Sequence, residues 1–154
     1  MKDAALAISE QRLSLAAEAA GAGFWSLDWQ SGEVWATAKT RELFGLVPDG
    51  TVHLADFLRR VHRRDRARLQ RLIEETLGSH DEYRVEFRVV HLDGRVRWLA
   101  GWGRSIGKAG DGPRTLMGLT MDISARRALQ DRIRRQRVQL GRMAKAATLA
   151  ELST

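Results

Sequence analysis

Arg114-Thr-Leu-Met-Gly-Leu-Thr-Met-Asp122-Ile-Ser-Ala-Arg126 decides how this chain is read. Residues 114–121 have the apolar and β-branched content of a strand, and Asp122-Ile123-Ser124 reads as an acidic helix cap. An Arg-rich helical stretch then runs to Thr154, with no proline or glycine between cap and helix. A strand that feeds a long helix directly suits a module whose sheet is mechanically continuous with an output element. That arrangement points to signal transmission before it points to catalysis.

Working upstream, residues 95–106 place Val96, Trp98, Ala100 and Trp102 on one face. In residues 82–91, Tyr83, Val85, Phe87 and Val89 alternate with Glu82, Arg84, Glu86 and Arg88. Period two marks both as strands. Asp93-Gly94 between them predicts a type I′ hairpin turn, which needs positive φ at both central residues. Residues 108–113 read as a looser turn. Gly101-Trp102-Gly103 and the glycines of 107–112 do not precede a helix N-terminus, so they read as turns and not as phosphate loops. Further upstream, Trp25, Leu27 and Trp29 share one face of a strand over 24–29. Gln30-Ser31-Gly32 turns the chain into a second strand over 33–36.

Helical patterns fill the remaining segments. Residues 3–20 read as an amphipathic helix with Leu6, Leu13, Ala17 and Ala20 on its face. Residues 37–47 form a short helix closed by Pro48-Asp49-Gly50. Leu54, Phe57, Leu58 and Val61 make one apolar stripe over 53–61. A third helix starts near Asp65, read as its N-cap, and carries Leu69, Leu72, Ile73, Thr76 and Leu77 as far as Gly78. The order of elements predicts an α+β fold: a five-stranded antiparallel sheet with helices packed on one face. It divides into an N-terminal amphipathic helix (1–20), a sheet domain (21–123) and a long C-terminal linker helix (124–154). Trp25, Trp29, Trp98 and Trp102 read as sheet-face packing, covered by an entry or exit helix or by a second subunit.

Composition removes several function classes. The chain has no cysteine, which excludes disulfides, thiolate metal sites and cysteine-linked flavin chemistry. His53, His62, His80 and His91 are scattered, with no i, i+4 pair to hold a metal. No apolar run approaches the roughly 20 residues of a membrane span, so the expected location is the cytoplasm. The net charge of +7 gathers at Arg59–Arg68 and in the C-terminal stretch. This basic excess motivates an alternative reading as a nucleic-acid-binding domain that uses its Arg-rich helices. No aromatic platform interleaves with these arginines, and a solvated helix face is the favoured account. No Walker loop, Gly-x-Ser-x-Gly or His-Glu-x-x-His motif is present, so the chain is not expected to be an enzyme.

Taken together, several fragments resemble a PAS domain of the bacterial sensor type. They are Arg12–Asp28 at the entry, Trp35 with Arg41-Glu-Leu-Phe-Gly-Leu46, and Val61-His-Arg-Arg-Asp-Arg66. Glu86-Phe-Arg-Val89, Asp93-Gly-Arg-Val-Arg-Trp98, Gly118 and Asp122-Ile-Ser-Ala-Arg-Arg127 complete the set. The family usually has Pro-Asp where this chain has Arg63-Arg64. The resemblance implies a sensory or dimerisation module around a small cavity, with Phe44, Leu54, Phe57, Leu58, Leu69, Leu72, Ile73 and Phe87 as candidate lining. It leaves open a small-molecule ligand, a non-covalent flavin, or a filled core acting purely in protein–protein interaction. Haem relatives place a histidine in the third helix. None falls between Asp65 and Gly78 here, so haem is disfavoured. Asp122, Ile123 and Ser124 would carry the signal out.

Beyond Arg126, Leu129, Ile133, Gln136, Leu140, Met143, Ala147 and Ala150 are spaced four and three apart. That is a heptad seam for a parallel homodimeric coiled coil. Gln136 lowers its stability but fixes its register, and Gly141 weakens the helix by about 1 kcal/mol. From Ser124 to Thr154 the helix would span roughly 46 Å. The last residues, 146–154, resemble the run ahead of the phospho-accepting histidine of two-component sensor histidine kinases. The resemblance implies a parent protein that continues into dimerisation and ATPase domains.

Overall fold

A computed structural model describes residues 2–79, 81–106 and 114–153. Among them, the chain forms α1 (Lys2–Ala19), β1 (Gly23–Asp28), β2 (Glu33–Ala36), α2 (Ala38–Phe44), β3 (Val52–His53) and α3 (Leu54–Arg60). These are followed by α4 (Arg63–Ser79), β4 (Glu82–Val90), β5 (Val96–Ile106), β6 (Thr115–Asp122) and α5 (Ser124–Leu152). It divides into two compact units, residues 1–122 and 123–154.

In the first unit the strands form one antiparallel sheet in the order β3-β2-β1-β6-β5-β4. The α+β expectation holds, but with six strands and not five. The addition is Val52–His53, which pairs with Val34 and Glu33 at the β2 edge. Two residues carry too little alternation to register as a strand in sequence. The hairpin between β4 and β5 is also looser than a two-residue type I′ turn. The His91 N–H donates to Arg95 O, the Gly94 N–H donates to His91 O, and Gly94 takes φ 86°. One extra residue fits between the strands, with glycine supplying the left-handed position.

The core lies between the sheet's inner face and α2–α4. Leu27, Val34, Val85, Phe87, Val89, Leu99 and Leu116 point inward from the strands, and Leu43, Phe57, Leu69, Ile73 and Leu77 meet them from the helices. Each helix presents its apolar stripe at the expected spacing. The helix ends have identifiable causes. Thr37 caps α2, its Oγ1 accepting the Thr40 N–H, and Gly45 closes it at φ 70°. Arg66 Nη2 donates to the Arg59 and Val61 carbonyls at the end of α3, groups left without helical partners.

α1 forms, but not with the expected apolar face. Ala17 is buried, whereas Leu13 and Ala20 are exposed. Its C-terminal end packs on the sheet's outer face, where Ala17, Ala22 and Phe24 gather with Met117 and Met121.

α4 begins at Arg63, one turn earlier than a cap at Asp65 requires. The His62 Nδ1 accepts the Arg64 N–H at that end, and Asp65 faces inward from the first turn. In the second unit, α5 stands as a helix of 29 residues with no buried residue.

Candidate functional site

The sheet's inner face explains where free space arises. β5 and β6 place Gly101, Gly103 and Gly118 inward, among the buried Leu99, Ser105, Leu116 and Thr120. A methyl group at Gly103 would collide with the Tyr83 ring, and one at Gly118 with the Trp25 ring and the Trp102 carbonyl. At Gly101 it would sit 3.3 Å from Phe87. Glycine at these positions lets three aromatic rings lie close to the backbone. The turn reading of Gly101-Trp102-Gly103 is therefore corrected: both glycines lie inside β5.

Above this floor is an apolar cavity of about 60 Å³. Phe44, Leu54, Phe57, Leu58, Leu69, Ile73 and Phe87 line it, as do Trp25, Leu27, Val34 and Val61. Leu72 does not. It is half-buried and packs against the core from outside the cavity. Trp25, Thr40 and Thr120 of the lining are engaged within the protein. The Trp25 Nε1–H donates to Thr120 Oγ1 at 3.1 Å, and Thr40 Oγ1 donates to the Phe24 carbonyl at 3.0 Å. Burial pushes the Tyr83 phenol well above its ordinary pKa, so it stays neutral.

Trp25 and Leu27 therefore share the inner face, while Trp98 and Trp102 stand on the outer one. The single aromatic face read from sequence is two. Trp29 lies beyond the end of β1 and is exposed. On the outer face, the Arg84 and Arg88 guanidinium groups lie 5.3 and 5.2 Å from the Trp102 and Trp98 ring centroids.

Arg88 also holds an ion pair that sequence reasoning missed. Its Nε and Nη2 donate to Asp65 Oδ2 and Oδ1 at 2.9 and 2.8 Å, and its backbone N–H donates to Oδ2 at 2.8 Å. The hydrogen bonds from the Arg88 side chain lead in lowering the buried Asp65 carboxyl from 3.8 to about 2. This clamp fastens the start of α4 to the edge strand β4. Asp65 is thus a tertiary ion-pair partner and not the helix cap.

At the exit, β6 ends at Asp122, which pairs with Leu99 of β5. Its carboxylate lies 3.8 Å from Arg97 Nη1. Ile123 occupies the N-cap position and α5 starts at Ser124. Within α5 the seam residues are solvent-facing. Leu129 is 57%, Ile133 41%, Leu140 64% and Met143 60% exposed, and Gln136 and Ala147 are exposed as well.

A family model described as the PAS fold matches residues 33–119. The chain belongs to the PAS-fold family. This PAS domain is 32% identical over 119 residues to a blue-light-activated histidine kinase of Brucella anthropi, covering 77% of the chain and 24% of that protein. It therefore spans about a quarter of the length of the curated relatives it matches. A sensory box histidine kinase/response regulator of Burkholderia thailandensis superposes with a TM-score of 0.71 at 26% identity, covering 85% of this chain and 98% of that one. The N-terminal domain of a Marinobacter aquaeolei diguanylate cyclase with a PAS/PAC sensor shares the fold alone. Its TM-score is 0.62 at 19% identity, covering 69% and 98% of the two chains. The PAS domain is homologous to histidine kinase sensor domains, which fits signal transduction and disfavours the nucleic-acid reading.

As it stands, the cavity is smaller than a flavin site. Pockets that enclose organic cofactors measure roughly 300–1,000 Å³, several times this cavity, and the chain has no cysteine for a covalent adduct. The cavity lining contains no histidine for haem. His62 accepts the Arg64 N–H, the His91 Nε2–H donates to the Leu43 carbonyl, and the His53 backbone N–H donates to Asp56. His80 lies outside the described residues. Among the described residues, no group of three His, Asp or Glu side chains converges on a metal position, and no helix is long and apolar enough to cross a membrane.

Proposed function

We propose that this PAS domain is the input and dimerisation module of a cytoplasmic two-component histidine kinase, supplying regulation and no catalysis of its own. The observation that carries this reading is the exit. β6 lies inside the sheet between β1 and β5, and only Ile123 separates its last residue from α5. A shift of β6 has no flexible spacer in which to dissipate. Asp122, Ile123 and Ser124 transmit it, and α5 receives it. Leu129, Ile133, Gln136, Leu140, Met143 and Ala147 then form the seam of a parallel coiled coil with a second copy, since apolar side chains this exposed on one helix favour burial against another. Small residues and Gln136 keep that seam marginal, so a small input can shift its register.

The 60 Å³ cavity is too small for an ordinary metabolite. That favours an input delivered at the sheet's outer face or the dimer interface over a ligand among Phe44, Leu54, Phe57, Leu58, Leu69, Ile73 and Phe87. The test is Asp122→Ala or Leu140→Asn in the full-length kinase, with signal-dependent autophosphorylation as the readout. The reading requires stimulated and unstimulated rates to converge. Unchanged regulation in both variants would overturn it.

A further inference from the structure

The charge on α5 constrains how a second copy can meet it. The helix carries eight basic and two acidic side chains, nearly the whole excess of the +7 chain. In the heptad that places Ile133, Leu140 and Ala147 at a and Leu129, Gln136 and Met143 at d, Arg132 falls at g and Arg137 at e. In a parallel, in-register pair, the g residue of one helix faces the e residue five positions later on the other. Arg132 of each copy therefore faces Arg137 of its mate, twice per dimer. Among the described residues, neither Arg132 nor Arg137 forms an ion pair within its own helix. Their charged neighbours three residues away on the same face are Arg135 and Arg134, both basic. The ion pair found along this stretch joins Asp131 and Arg134 at 3.9 Å, on the side away from the seam.

We propose that Arg132 and Arg137 form a repulsive cross-helix pair that sets the strength of the parallel α5 dimer, so that anions and added salt tighten the dimer. The occupant of the α5 face is a second copy of this chain, and the inference rests on the coiled-coil reading above. An antiparallel pair that keeps the a–d layers aligned opposes Arg137 to Ala144 instead, so the effect is specific to the parallel register. The apolar seam draws the helices together and the arginines hold them apart. Exposed charge pairs weaken steeply with ionic strength, which makes screening the control.

The test is a charge-swap cycle on the 154-residue chain, with the dimer dissociation constant read by sedimentation equilibrium. Arg137→Glu and Arg132→Glu each turn two repulsive pairs into attractive ones, and each tightens the dimer roughly tenfold at low salt. The double variant R132E/R137E restores like charges, now Glu against Glu, and returns the constant to near the starting value. The starting protein itself tightens between roughly 0.05 and 0.5 M salt, while the single swaps weaken. Additive effects in the double variant, or single swaps that leave the constant unchanged, would overturn the register and the pair. Leu140→Asn separates the two layers of the argument. If it leaves the dimer unchanged, the coiled-coil reading itself fails. If it weakens the dimer while the charge cycle is additive, the seam stands and the Arg132–Arg137 inference falls.

Discussion

Asp65→Asn removes the charge of the clamp while keeping its shape, and its cost can be worked from the protonation equilibrium. In the folded protein the Asp65 carboxyl is lowered from 3.8 to about 2, chiefly by the Arg88 side-chain hydrogen bonds. Each unit of such a difference is about 1.4 kcal/mol, so the ionised form contributes about 2 kcal/mol at neutral pH. The folded value lies below the unfolded one. The contribution is therefore complete above about pH 5 and is lost as pH falls through 4 towards 2. Asp65→Asn should cost about 2 kcal/mol at pH 7, a melting-temperature drop of about 4–8 °C for a domain of this size. The assay is urea unfolding of both proteins, followed by tryptophan fluorescence, at pH 7 and pH 3. At pH 3 the gap should shrink to about half its neutral value, because the unfolded carboxyl is by then largely protonated while the native one is still mostly ionised. A gap that stays constant between the two pH values would refute the electrostatic account and leave only the loss of one acceptor oxygen facing Arg88.

Gly103→Ala forces a methyl group against the Tyr83 ring, a flat aromatic body held by β4, so the ring must leave its site. The expected loss is about 1–3 kcal/mol; an unchanged urea midpoint would show that the floor yields freely. Free flavin added to the purified chain should show no rise in fluorescence polarisation, because the cavity of about 60 Å³ cannot admit the ring system. Saturable polarisation that Gly101→Ala abolishes would contradict this.

Much of the fold was readable because its determinants are periodic and local. The stripe Leu69, Ile73, Leu77 and the alternation Tyr83, Val85, Phe87, Val89 each name their own partner face. Asp65 was not readable because a short acidic residue near a helix start already has a sufficient local explanation. Its actual partner, Arg88, is 23 residues away, and nothing in the spacing joins them. Gly101 and Gly103 were obscured for a related reason. Glycine signals a turn in isolation, and only the register with Val85 and Tyr83 reveals it as room for a ring. Leu13 shares a helical spacing with Ala17 that implied a buried face, yet among the described side chains of α1 it is Ala17, near the helix end, that packs on the sheet. In the cavity, Leu72 shares a helix with Leu69 and Ile73 but is rotated just past the opening, a distinction finer than an apolar stripe can express.

The glycine-backed inner sheet carries a consequence for how this domain can change. Its backbone leaves open a hollow larger than the present cavity, and Trp25, Tyr83 and Phe87 occupy most of it as removable furniture. Exchanging Trp25 for a small residue would vacate a berth bounded by strands already in place, with the Thr120 hydroxyl released to receive whatever enters. A receptor for a new compound is thus a side-chain substitution away from this scaffold and needs no new loop, helix or strand.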